Sequence, residues 1–84
     1  MAKYRNKDDN DVVEAMQWDK RNATKVLHWM LPDIEKEATA SKETEQAFRD
    51  SFHIEKGDWI IRHPNGVFSG CSKYMFPEMY EEVE

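Results

Sequence analysis

The stretch EKGDWIIRHPNGVFSGC, residues 55–71, decides the fold because it alternates apolar runs with turn signals. Its first apolar run, residues 58–63, follows the period-two alternation of a β-strand. That alternation places Trp59 and Ile61 on one face of the strand and Ile60 on the other.

The second half of the stretch predicts the return strand of a hairpin. In the sequence HPNG, Pro64 presets its own φ angle, and Asn65 and Gly66 tolerate positive φ. Residues 67–71 then carry a second apolar run that can pair with the first.

The residues before the hairpin admit two interpretations. In residues 47–54, Phe48, Phe52 and Ile54 stand at even spacing, which favours a half-buried strand and a three-stranded antiparallel meander over residues 47–71. A helix over residues 44–52 is the alternative.

Further from the hairpin, one more strand and two helices are expected. Residues 11–18 alternate as a strand with largely apolar faces. Residues 22–31 have the apolar spacing of an amphipathic helix, with Asn22 as its N-cap and Pro32 ending it. A short C-terminal helix is expected to begin near Met75.

Together these elements predict a small α+β domain over residues 1–84. An antiparallel sheet of about four strands carries one helix on a face, and the short C-terminal helix closes an end. Residues 1–10 are expected to be a loose lead-in and residues 33–46 a polar, variable insert. The expected core centres on four side chains, namely Trp18, Trp59, Ile61 and Phe68.

Composition restricts the class of protein. The formal net charge of –5 disfavours binding to a nucleic acid backbone or to an anionic membrane, and it is compatible with a basic protein surface. No apolar run approaches the roughly 18 residues of a membrane span. The single cysteine excludes an intrachain disulfide, so the sequence predicts a protein that works in the cytosol.

Two blocks of sequence resemble a family of small bacteriophage proteins. The first runs KYRNKDDNDVVEAMQWD, residues 3–19, and the second runs GDWIIRHPNGVFSGCSKYMFPEMYEEV, residues 57–83. Members of that family have a KYRK stretch, an (I/V)EAxQW strand, PGDWII, a strand ending in Cys, and IFxxxYE. This chain departs from the pattern at Lys56, where the family has proline, and at Pro77.

The resemblance implies a phage gene product made in the host cytoplasm. It carries no enzymatic activity over to this chain, and such small phage proteins are often accessory factors. The sequence thus predicts a non-enzymatic protein that binds a host or anti-phage defence protein. Homo-oligomerisation is left open.

No residue pattern predicts catalysis, a metal or a cofactor. Cys71 with His53 or His63 could form a nucleophile and base, but a strand-end cysteine is more often a small buried apolar residue. The same three residues lack the close spacing of a zinc motif. Asp58, which follows Gly57, is expected to cap a turn.

Four residues are the candidate ligand or partner site. Arg62 and His63 precede the hairpin turn, and Lys73 and Tyr74 follow the return strand, so the two pairs are expected to gather on one polar edge. A protein that binds or sequesters a signalling nucleotide there is one alternative function. A minor virion or assembly component is another.

Overall fold

The structure is a computed structural model that describes residues 2–83, which form five strands and three helices. In chain order the elements are β1 (Lys3–Asn6), β2 (Val12–Gln17), α1 (Ala23–Met30), α2 (Lys42–Phe52), β3 (Trp59–Arg62), β4 (Phe68–Cys71), α3 (Phe76–Met79) and β5 (Tyr80–Val83).

The strands form one antiparallel sheet in the order β4-β3-β2-β1-β5. The predicted α+β class is confirmed, with one strand more than the four expected. The strand predicted over residues 11–18 is β2, and it lies at the centre of the sheet. Both of its faces contribute buried residues, as expected for a strand covered on one side and partly on the other.

Helices α1 and α2 cover one side of the sheet, here called the helix face. Met16, Trp18 and Ile60 point to this side and pack against Ala23 and Val26 of α1. Trp18 is fully buried. Its ring meets the ring of Phe48 from α2 edge to face, with centroids 6.2 Å apart.

The opposite side, here called the α3 face, is covered by the single turn of α3. Val13, Ala15 and Ile61 form its floor. Phe76 stacks on Trp59 with ring centroids 4.1 Å apart, and it stacks on Tyr80 at 5.1 Å. An aromatic stack thus closes this face with very few residues.

The four predicted core residues divide between the two faces. Trp18 and Ile61 are buried. Trp59 and Phe68 are partly buried and pack against the clusters of the α3 face and the helix face, respectively. Phe68 meets Trp29 of α1 edge to face at 5.2 Å.

The expectation of a loose lead-in over residues 1–10 is wrong for β1. This strand lies between β2 and β5, and Arg5 Nη2 donates a hydrogen bond of 2.7 Å to Glu81 Oε1 across the β1–β5 pair. Its sequence, Lys-Tyr-Arg-Asn, offers only Tyr4 for burial. The strand is stabilised by pairing with two neighbours, which local composition does not reveal.

The strand predicted over residues 47–54 is wrong, and the helical alternative is correct. Ser41 caps α2 by accepting a hydrogen bond from the Thr44 N–H at 3.1 Å. Phe48 and Phe52 are four residues apart, a spacing that fits both the strand period and the helix period. The predicted meander is therefore only the hairpin of β3 and β4, with β2 beside it.

Part of the predicted polar insert is ordered by contacts with α1. The chain from residue 31 to 41 is irregular, and the ring Nε2 of His28 lies 2.8 Å from the Ala38 carbonyl oxygen. The Ala40 N–H donates to Thr24 Oγ1 at 3.0 Å. The rest of the insert, residues 42–46, is the first half of α2.

Asn22 stands at the N-cap of α1, but its side chain makes a different contact from the one predicted. Its Nδ2 donates to the Gln17 carbonyl at 2.7 Å, and its Oδ1 accepts from the Asp19 N–H at 3.2 Å. Asn22 therefore fixes the connection between β2 and α1.

The predicted hairpin turn is confirmed. The His63 N–H donates to the Val67 carbonyl at 2.9 Å, and Gly66 adopts φ +86°. Further along β4, Gly70 passes so close to the Phe52 carbonyl oxygen that a Cβ there would collide with it. Glycine thus lets the end of α2 rest on β4.

The short C-terminal helix is confirmed, with Pro77 in its first turn as expected. The helical stripe does not include Tyr80, because Tyr80 is extended and begins β5. None of the helices in residues 2–83 combines the length and the apolar character that a membrane span requires.

Candidate functional site

The structure does not bring the two predicted pairs of site residues together. Arg62 pairs with Phe68 at the turn end of the hairpin, whereas Trp59 pairs with Cys71 at the open end. Lys73 and Tyr74 follow Cys71, so they lie beyond the open end. The length of β3, about 10 Å at 3.3 Å per residue, separates the pairs.

Lys73 and Tyr74 belong to a turn that Asp58 organises. The Asp58 carboxylate accepts one hydrogen bond from the Glu55 N–H and one from the Lys73 N–H, each at 2.9 Å. Its predicted role as a turn cap is confirmed. Lys73 Nζ donates to the Lys56 carbonyl at 3.1 Å and lies 5.5 Å from the centre of the Tyr74 ring.

Arg62 and His63 are neighbours in sequence but face opposite sides of the sheet. Arg62 Nη1 donates to Glu14 Oε1 at 3.2 Å on the helix face. His63 Nε2 lies 2.7 Å from Ser69 Oγ. Ser69 pairs with Ile61 on the α3 face, so the imidazole is on that side.

A groove runs along the part of the helix face where Arg62 lies. Its volume is about 310 Å³, and we call it the sheet groove. It is lined by residues of β1 and β2 and by the chain from Arg62 onward, namely Lys3, Val12, Val13, Glu14, Arg62, His63 and Pro64. Of these, Val13 and His63 point their side chains to the α3 face. Sequence reasoning missed Lys3, because β1 was expected to be loose.

Cys71 does not lie beside His63. Its strand position is four residues from that of His63, which corresponds to about 13 Å along the strand. Burial raises the pKa of the Cys71 thiol above its ordinary value, and the negative charge of Asp58 raises it further. Both effects keep the sulfur protonated and weakly nucleophilic at neutral pH.

Within residues 2–83, no three His, Cys, Asp or Glu side chains are grouped so that they could hold a metal ion. His53 caps α2 in a left-handed conformation with φ 52°. The three residues considered for zinc therefore do not form a metal-binding group among the described residues.

Three exposed apolar side chains lie in α3 and in the two residues before it, and we call them the α3 patch. It consists of Tyr74, Met75 and Met79, whose exposed fractions are 76%, 53% and 37%. The sequence pattern placed both methionines in the same apolar stripe as Phe76. One helical turn can bury only one side, and the aromatic side is the one that stacks on the sheet.

No family model matches this sequence, and the searches of curated proteins and of solved structures found no match.

Proposed function

We propose that this chain is a non-enzymatic bacteriophage accessory protein that acts in the host cytoplasm. It binds and modulates a host or anti-phage defence protein, and the α3 patch is its binding surface. The exposure of three large apolar side chains within six residues is the observation that carries this proposal.

The chemistry of the α3 patch suits protein recognition. Tyrosine and methionine are enriched in protein–protein interfaces, and methionine adapts to irregular apolar surfaces. Tyr74 is the most exposed of the three residues, and its ring can insert into a pocket of the partner. The backbone under the patch is held in place, because the Met79 N–H donates to the Met75 carbonyl at 3.1 Å.

Charged residues of both signs surround the α3 patch, because Lys73 Nζ lies 5.5 Å from the Tyr74 ring and Lys7 Nζ donates to the Pro77 carbonyl at 3.0 Å. Glu78 lies within α3, and Glu81 and Glu82 follow it in β5. All three are exposed, and Glu81 is paired with Arg5. A partner whose apolar pocket has a rim of mixed charge would complement this surface.

The phage origin rests on the sequence resemblance. Its motifs VEAMQW and GDWII fall on β2 and on the start of β3, in the middle of the sheet. They therefore bear on the scaffold and the origin of the chain more than on the α3 patch. The resemblance and the patch support different parts of the proposal.

The experiment is affinity capture with the full chain from the cytoplasm of phage-infected bacteria. Tyr74→Ser combined with Met75→Ser removes the most exposed part of the α3 patch. The expected result is loss of a specific partner by this variant, followed by direct binding of the purified partner to the unsubstituted chain.

Val67→Ser is the matched control. Val67 is 55% exposed, as much as Met75, but it lies at the hairpin turn. Retention of the partner by Val67→Ser and its loss by the double variant would support the proposal. Equal capture by all three chains, or capture only with phage particles, would overturn it.

A further inference from the structure

The sheet groove occupies the part of the helix face that α1 and α2 leave open. On β2 the helices cover Met16, which is buried, whereas Val12 on the same side is 48% exposed. Glu14 lies between them on that side. The boundary of the covered region therefore crosses the sheet near Glu14.

Three charged residues form a row across the sheet groove on neighbouring strands. Glu14 pairs with Arg62 of β3 on one side and with Lys3 of β1 on the other. Cross-strand partners share a face, so the order of charge across the groove is positive, negative, positive. The row has a net charge of +1 in a chain whose formal net charge is –5.

The two cations keep donors free for a ligand. Within residues 2–83, the Arg62 side chain makes one hydrogen bond, from Nη1 to Glu14 Oε1 at 3.2 Å. Lys3 Nζ makes no hydrogen bond or ion pair with any residue in that range. Their Cα atoms are two strand spacings apart, about 10 Å, and both long side chains can reach a single anionic group.

An apolar surface adjoins the cations. Val12 and Pro64 line the same groove, and both are exposed. A ligand with only a charged group would leave this surface uncovered. The volume of about 310 Å³ is at the small end of the range for ligand sites.

We propose that the sheet groove binds a small organic anion. A phosphate or carboxylate group of the ligand lies between Arg62 and Lys3, and an apolar or planar part covers Val12 and Pro64. The site is independent of the α3 patch, and it differs from the predicted edge because Lys73 and Tyr74 take no part in it.

The test is a titration of the full ¹⁵N-labelled chain, followed by amide chemical shifts. The probes are a nucleoside monophosphate, an aromatic carboxylate and inorganic phosphate. The expected shifts map to Lys3, Val12–Glu14 and Arg62–His63, and both organic anions bind more tightly than inorganic phosphate. A preference between the two organic probes identifies the anionic group.

Substitutions test the charge arrangement. Arg62→Gln and Lys3→Gln should each weaken binding about tenfold, the effect of losing a hydrogen bond to a charged group. Lys73→Gln is the control with the same charge change, and it should leave affinity unchanged. Glu14→Gln should strengthen binding, because it removes the carboxylate that competes for Arg62.

Three outcomes would overturn the proposal. One is the absence of shifts with every probe, and another is shifts centred on Lys73 and Tyr74. The third is weaker binding of these anions by Glu14→Gln, which would show that Glu14 supports the site and does not compete with the ligand for Arg62.

Discussion

The two faces of the sheet are closed by different means. On the helix face, α1 and α2 contribute 19 residues between them and bury Trp18 completely. On the α3 face, a helix of only four residues covers the sheet by stacking Phe76 on Trp59. An aromatic ring buries a large area at a small cost in chain length, which explains how one turn suffices.

The difference has a consequence for the outer surfaces. A long amphipathic helix has room to separate its apolar side from its polar side, and α2 does so with charged residues such as Glu43 and Asp50 exposed. A single turn that buries Phe76 leaves Met75 and Met79 outside. The α3 patch is therefore exposed because so few residues cover the α3 face.

The largest expected effect is that of Trp18→Ala on the helix face. Truncating a fully buried large aromatic side chain costs about 3–5 kcal/mol. Total stability for a chain of this size is about 4–13 kcal/mol, at 0.05–0.15 kcal/mol per residue. We expect the variant to be largely unfolded by circular dichroism or to have a strongly lowered urea midpoint.

Trp18→Phe is the control for this change. A phenyl ring preserves the contact with Phe48. Moreover, the Trp18 indole N–H has no hydrogen-bond partner within residues 2–83, so the change to phenylalanine removes no hydrogen bond to those residues. The control should lose much less stability than Trp18→Ala, and equal losses would contradict the role given to the ring.

A smaller effect is expected from Phe76→Ala on the α3 face, about 3 kcal/mol. This change removes the stacking on Trp59 and Tyr80, and it should expose the amides of α3 and β5 to hydrogen exchange before those of β2 and β3. Met79→Ala on the same turn should change stability by less than about 0.5 kcal/mol. Uniform loss of protection throughout the sheet would show that the two faces do not open separately.

The smallest effect concerns Cys71, at the edge of the α3 face. Since burial and Asp58 raise its pKa, the pH midpoint of its alkylation should lie above that of the urea-unfolded chain. Burial and the charge of Glu82 likewise raise the pKa of Tyr4. Iodoacetamide reaction rates measured against pH test the thiol directly. A midpoint equal to that of the urea-unfolded chain would contradict the raised pKa of Cys71.

The raised pKa values of Cys71 and Tyr4 determine how the stability of the fold changes at alkaline pH. The fold favours the protonated forms of Cys71 and Tyr4, so their contribution to stability is complete below the unfolded pKa values. It is lost as pH rises through the raised, folded values. The urea midpoint should therefore fall as pH rises above about 8.5, where the unfolded thiol ionises, and further above about 10, where the unfolded phenol ionises. The first fall should be smaller in Cys71→Ser.

The elements predicted correctly from sequence are those with strong local signals. The hairpin around Gly66, the strand ending near Trp18 and the helix ending before Pro32 all have such signals. β1 was missed because its stability comes from strands that are distant in sequence. The strand prediction for residues 47–54 failed because a four-residue spacing of phenylalanines does not distinguish the two periods.

The candidate sites were less predictable than the fold. Arg62 was singled out from the sequence, but it lines the sheet groove together with Lys3, which no local pattern connects to it. The α3 patch depends on how few residues cover the sheet, a property of packing. Sequence periodicity identified its methionines only as apolar.

The register between β1 and β5 also bears on chain connectivity. Lys3 lies opposite Val83, so the two ends of the described chain are adjacent. A short glycine linker could join these two ends. New chain ends could then be opened in the irregular segment between residues 31 and 41, which belongs to no strand of the sheet. The order in which the strands leave the ribosome would then change while every strand neighbour stayed the same.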